Sequence, residues 1–113
     1  MTVGLIGVGI MGSAIAGNLL KQSTAVVGYD IDARRIANFV AAGGVAARSA
    51  SEVADQAEIV LTSLPSAAAL AATVETLLRK PRPALIIAEL STLPIGVKVA
   101  ARDRLAAVGI ALL

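Results

Sequence analysis

Near the amino terminus, Gly7-Val8-Gly9-Ile10-Met11-Gly12 carries the spacing G-x-G-x-x-G, and an acid, Asp30, stands 18 residues beyond the last glycine. Residues of these types at these distances suit a dinucleotide. Gly7 turns the chain out of a strand, Gly9 lets backbone approach a pyrophosphate, and Gly12 lets a helix pack closely on the strand before it. Free amides around Ile10, Met11 and Gly12 would then point at the phosphates, backed by the positive end of a helix dipole. The Asp30 carboxylate can hydrogen-bond adenosine ribose hydroxyls and would repel a 2′-phosphate, which favours NAD over NADP. Arg34 and Arg35 leave NADP open, although the first turn of a helix places both on the surface. Each feature also has a plainer reading. The glycines can simply permit a tight turn, and Asp30 can be a turn aspartate capping the next helix, a job for which Asp32 is better placed.

Little other chemistry is available. The chain has no His and no Cys, which removes imidazole acid/base catalysis, thiol nucleophiles, disulfides and thiolate zinc sites. What remains is backbone, hydroxyls, carboxylates, Lys21, Lys80, Lys98 or a cofactor. Leu64-Pro65 and Ser91-Thr92 each follow an apolar run, so in an open parallel sheet both would lie on the ligand side. Proline as punctuation and Ser91 as a helix cap explain them equally well from pattern alone. Glu89 ends an apolar strand, where a carboxylate is costly unless paired or near a site mouth. Lys98, Arg102, Asp103 and Arg104 read as a solvated helix face. Aromatics are 2% of the chain and the net charge is only +2, with scattered basic residues, which argues against nucleic acid as a partner.

The elements that must position these groups alternate along the chain. Thr2 to Ile6 reads as a strand and Ile10 to Leu20 as a helix; Ala25 to Tyr29 and Ala33 to Ala42 repeat the pair, with Asp32 as cap and Gly43-Gly44 as stop. Val45 to Ala47 is a weak strand, and Ser49 with Glu52 makes a capping box for a short helix ending near Ala57. A strand over Ile59 to Ser63 meets Pro65, and Ser66 caps a helix from Ala67 to Leu78. After the stiff Lys80-Pro81-Arg82-Pro83 come a strand from Ala84 to Leu90, a helix from about Pro94 to Val108 and a last run, Ile110 to Leu113. Strands that are continuously apolar, separated by helices, imply an α/β fold with a doubly wound parallel sheet covered on both faces. With 113 residues, 57% of them apolar, the chain is one domain over residues 1–113.

The first twenty residues carry no charged side chain, yet five glycines interrupt them and no basic segment precedes them. This disfavours a membrane span or a signal peptide, and a cytoplasmic protein without a membrane partner is the expectation. Because the chain stops inside an apparently buried strand, it is expected to be the amino-terminal part of a longer protein.

With these residues in place, the sequence resembles the β-hydroxyacid dehydrogenase family, which includes 3-hydroxyisobutyrate dehydrogenase, tartronate semialdehyde reductase and 6-phosphogluconate dehydrogenase. The resemblance runs along the whole chain. It is carried by Leu5-Ile6-Gly7-Val8-Gly9-Ile10-Met11-Gly12, by Ala16 and Asn18-Leu19 in the following helix, by Leu64-Pro65 against the family's M-L-P, and by Glu89-Leu90-Ser91-Thr92 against its D-x-S-T. Glu89 in place of Asp, Pro94 one position early, and Gln22-Ser23 in place of Ala-Gly-His depart from the pattern. NADP-preferring relatives often carry Asn-Arg where this chain has Asp30-Ile31.

The resemblance implies a Rossmann-type cofactor domain of an NAD(P)-dependent dehydrogenase or reductase acting on a small hydroxy acid substrate. Gly7, Gly9, Ile10, Met11, Gly12, Asp30, Leu64, Pro65 and Thr92 would bind cofactor, and Ser91 and Thr92 would bind substrate. It also implies an absent helical domain that carries the catalytic lysine and forms a homo-oligomer, so this chain has no catalytic residue of its own and is expected to be inactive alone. Two alternatives stand beside it: a 6-phosphogluconate-dehydrogenase-like or imine-reductase-like enzyme on the same domain, and a non-catalytic nucleotide-sensing module.

Overall fold

The apolar runs pair edge to edge through their backbone amides and carbonyls, and helices cover both faces of the sheet's centre. In a computed structural model, which describes residues 1–113, the strands are β1 (Thr2–Ile6), β2 (Ala25–Tyr29), β3 (Val45–Ala46), β4 (Ile59–Thr62), β5 (Ile86–Glu89) and β6 (Ala111–Leu112). The helices between them are α1 (Ile10–Lys21), α2 (Ala33–Ala41), α3 (Ala50–Gln56), α4 (Ala67–Arg79) and α5 (Ile95–Ala106). The sheet order is β3-β2-β1-β4-β5-β6, with every pairing parallel. The chain winds outward from β1 to β3, crosses back through α3, and winds outward again from β4, which is the doubly wound arrangement.

Register aligns the strand ends. Ile6 lies opposite Tyr29 on one side and Thr62 on the other, and Thr62 lies opposite Glu89. The residues that follow, Gly7, Asp30, Ser63 and Leu90, therefore leave the sheet along one edge. Alternation along β1 sends Leu5 to one face and Ile6 to the other. Leu5 joins Val8, Ala16, Val26 and Phe39 under α1 and α2. Ile6 joins the larger cluster, in which Val53, Leu70, Val74, Leu77 and Leu105 bring α3, α4 and α5 onto Val27, Val60 and Ile87. Small residues let the helices sit close: a Cβ on Gly28 would stand 2.8 Å from the Phe39 ring.

The expected helix caps form. Asp32 accepts from the Arg34 amide, Ser49 from Glu52 and Ser66 from Ala69. The capping box is only half made, because the Glu52 carboxylate turns to Arg48 at 3.1 Å instead of back to Ser49. The fifth strand begins at Ile86 and not at Ala84. Ala84 has φ of 72° and its amide donates to the Gly109 carbonyl, so the chain is still turning there despite its apolar side chain. Its helix neighbour is shorter than the apolar pattern suggests, starting after Pro94 and ending before Ala107. No helix is long and apolar enough to cross a membrane.

Candidate cofactor site

The turn between β1 and α1 is shaped by its glycines in two different ways. Gly7 has φ of 95°, and a Cβ there would lie 2.1 Å from the Ser63 carbonyl oxygen. A Cβ on Gly12 would lie 2.3 Å from the Gly7 carbonyl oxygen. These two positions are closed by the protein's own backbone. Gly9 differs: the nearest atoms to its Cβ position belong to the Arg35 guanidinium, at 3.7 Å or more. Its bare face opens outward, leaving room that the fold itself does not fill.

Val8 fixes the turn from both sides. Its amide donates to Asp30 Oδ2 at 2.9 Å, and its carbonyl accepts from Ser13 Oγ at 2.8 Å. Ser13 N donates to the Gly9 carbonyl, closing the first helical turn, while the amides of Ile10, Met11 and Gly12 meet no acceptor in the chain. Those three donors point out of the start of α1, where the helix dipole favours an anion.

Asp30 has a double part. Its other oxygen, Oδ1, accepts from the Asp32 amide at 2.9 Å, so Asp30 does brace the turn, but the cap of α2 is Asp32. A carboxylate offers about four lone-pair positions, and two amides leave others for a ligand hydroxyl. The side chain is 6% exposed and borders a cleft of about 480 Å³, together with Gly7, Gly9, Arg35, Leu64 and Pro65. The far wall of that cleft comes from α4 through Ala69, Ala72 and Thr73.

Arg35 is exposed in the first turn of α2, as the sequence suggests, yet its guanidinium folds back toward the site. Its Nη1 stands 3.8 Å from Asp30 Oδ2 and its Nε 3.9 Å from Asp32 Oδ2. The signal was present in the i,i+3 spacing from Asp32, which folds the side chain back across the helix start. Arg35 also borders a smaller hollow formed with Val8, Gly9, Ile10 and Ser13. Lys98, in contrast, does not keep to the solvated face expected of it. It reaches Glu89, with Nζ 3.1 Å from Oε2.

The structure thus brings Gly7, Gly9, Asp30, Leu64 and Pro65 around one cleft, with the start of α1 at its rim. Ser91 and Thr92 stand apart from this lining. Ser91 is buried, and its Oγ accepts from the Leu64 amide at 2.7 Å, bracing that wall from behind. Thr92 is exposed on the loop after β5. A dinucleotide fits the residues present: uncovered backbone at Gly9, unpaired amides for phosphate and an acid for ribose. A grouping of acids suited to a metal ion does not occur.

The family model describing the NAD binding domain of 6-phosphogluconate dehydrogenase matches residues 2–113. The 2-(hydroxymethyl)glutarate dehydrogenase of Eubacterium barkeri is 38% identical over 79 residues, which is 70% of this chain and 25% of that protein. Among solved structures, the 3-hydroxyisobutyrate dehydrogenase of Mycobacterium tuberculosis superposes with a TM-score of 0.92 at 25% identity, over 98% of this chain and 38% of that one. An imine reductase of Streptomyces aurantiacus superposes with a TM-score of 0.90 at 26% identity, over 99% of this chain and 39% of that one. The chain therefore spans about a quarter to two-fifths of the length of the proteins it resembles.

Proposed function

Because this chain belongs to the family of NAD-binding domains typified by 6-phosphogluconate dehydrogenase, we propose that it is the cofactor-holding part of an oxidoreductase that interconverts a small 3-hydroxy acid and its semialdehyde or ketone. The observation that carries the reading is the open face of Gly9, set between unpaired amides and the Asp30 carboxylate. Named relatives act in keeping with it, being dehydrogenases of 2-(hydroxymethyl)glutarate and 3-hydroxyisobutyrate.

Bound in the cleft, a nicotinamide dinucleotide would supply hydride transfer to or from the substrate carbon. The chain's own residues bind and orient. Amides of Ile10, Met11 and Gly12 neutralise phosphate charge, and Asp30 accepts from ribose hydroxyls while it holds the Val8 amide. Leu64 and Pro65 exclude water from the wall beyond Gly7. Thr92, on the loop after β5, is the hydroxyl available to a substrate, whereas Ser91 acts through Leu64. No residue around the cleft is placed to move a proton on a substrate hydroxyl, a service worth about 10² to 10⁴ in rate. The acid/base group therefore comes from outside residues 1–113, from a helical second domain that also forms the homo-oligomer contact, and the whole acts in the cytoplasm.

NAD is the preferred cofactor on this reading, since Asp30 would repel a 2′-phosphate. Arg35 offsets part of that charge and keeps NADP within reach. The likeness to an imine reductase favours a second reading, the same cofactor cleft serving reduction of a C=N bond. A nucleotide sensor that performs no reaction is the third.

Calorimetric titration with NADH, followed by absorbance assays with NAD and 3-hydroxyisobutyrate, tests these readings on this chain and on the longest product of its gene. Cofactor binding by residues 1–113 with turnover only by the longer chain is the expected result. Turnover by residues 1–113 would overturn the division of labour. A longer chain that binds NADH and reduces cyclic imines but leaves hydroxy acids untouched would establish the second reading.

A further inference from the structure

Glu89 is the one carboxylate of the chain whose side chain is wholly buried, and the cofactor reading gives it no task. A charge removed from water is retained only where its surroundings compensate it. Here the compensation comes from three elements. Oε1 accepts from Thr62 Oγ1 at 3.2 Å, at the end of β4, and from the Ser91 amide at 3.0 Å, in the loop after β5. Oε2 has Lys98 Nζ of α5 at 3.1 Å, a charge contact set off the hydrogen-bonding direction. Lys98 is only 30% exposed. One step further, Ser91 Oγ accepts from the Leu64 amide at 2.7 Å, so the chain of contacts runs from Lys98 through Glu89 and Ser91 to the wall of the cleft.

We propose that Glu89 and Lys98 form a positioning pair that sets the half of the cofactor cleft farther from Asp30. The proposal rests on the cleft being a dinucleotide site. Strand order makes the argument directional. Asp30 follows β2, the glycine turn follows β1, Leu64 and Pro65 follow β4, and Ser91 and Thr92 follow β5, in that spatial order across the sheet. A dinucleotide with its adenosine ribose at Asp30 extends across the switch point toward β4 and β5. The pair therefore governs the nicotinamide end and leaves the adenosine end alone. Neither residue touches the ligand; they act through the Ser91 amide and the Leu64 loop.

The test compares NADH with ADP-ribose, which lacks the nicotinamide, by calorimetry on the 113-residue chain. Lys98→Met and Glu89→Gln keep approximate side-chain shape and remove one charge each, and the double variant removes both without leaving a buried charge alone. Folding of each is checked by thermal melting. The expected result is a loss of about fivefold or more in NADH affinity, the low end of couplings between linked sites, with ADP-ribose affinity unchanged and with Lys98→Arg restoring NADH binding. Equal losses for both ligands would reduce the pair to general support of the fold, and unchanged NADH affinity in folded variants would remove it from the site. If the unaltered chain binds neither ligand, the dinucleotide reading beneath the proposal fails first. If single variants do not fold, the double variant decides.

Discussion

The Val8 amide donates to the Asp30 carboxylate at 2.9 Å, so the residue expected to read the ribose also holds the turn expected to read the phosphates. Adenosine recognition and phosphate recognition are consequently one mechanical unit, and a change at Asp30 reaches the glycine turn.

Asp30→Asn should therefore do more than relax cofactor choice. An amide side chain can accept from Val8 or from Asp32 through its oxygen but not from both, and one amide loses its acceptor at about 1–3 kcal/mol. The preference for NADH over NADPH should narrow by about 1–3 kcal/mol, the scale of a charged hydrogen bond. Thermal stability and NADH affinity should fall together. Calorimetry with both cofactors and a melting curve check this, and equal affinities in the unaltered chain would overturn the premise.

The glycines should separate by substitution. Gly9→Ala is expected to melt like the parent, because its Cβ meets nothing closer than 3.7 Å, yet to lose NADH affinity tenfold or more, about 1.4 kcal/mol. Gly12→Ala places a Cβ at 2.3 Å from backbone oxygen and should destabilise by about 1–3 kcal/mol or more. Melting and titration of the two variants side by side decide between them.

Arg35→Ala should act on NADPH alone. The guanidinium is half exposed and its pairs with Asp30 and Asp32 are loose, so stability should change by less than about 1 kcal/mol. Losing a charged donor near the ribose should weaken NADPH by about 1.5–3 kcal/mol while NADH changes little. A parallel loss of both cofactors would assign Arg35 to the pyrophosphate instead.

Phe39 is 3% exposed and lies over Gly28 and Gly44, clamping α2 onto β2 directly before Asp30. Phe39→Ala should cost about 3–5 kcal/mol. Hydrogen exchange at the Val8 amide, read against exchange in β5, should show the loss concentrated at the glycine turn.

The parts of the molecule that the sequence displays are those set by local rules. Gly7 and Gly12 announce a turn because backbone geometry there tolerates no side chain. Ser49 and Ser66 announce helix starts because each stands just ahead of a helix-forming run, where its hydroxyl can accept from the amide three residues on. At Ala84 the apolar pattern runs ahead of the strand, because a φ of 72° after Pro83 and the bond to the Gly109 carbonyl keep the chain turning there. Arg35 and Lys98 were hidden for a different reason. Each is a charged residue on a helix, and whether it also meets a carboxylate depends on where another strand ends, as at Asp30 and Glu89. Burial of Ser91 is of the same kind, since its partner Leu64 belongs to the neighbouring strand's loop.

The sheet's central strand is also its first to be made. β1 pairs with β2 on one side and with β4 on the other, and at about 5–20 residues per second of synthesis roughly 3–11 s separate Ile6 from Thr62. During that interval β1 can close its ladder only toward β2, and its second row of amides and carbonyls, flanked by Val3, Leu5 and Ile6, stays open to other chains. Substitutions that delay β4 should thus appear in cells as aggregation of nascent protein, even where the finished domain tolerates them.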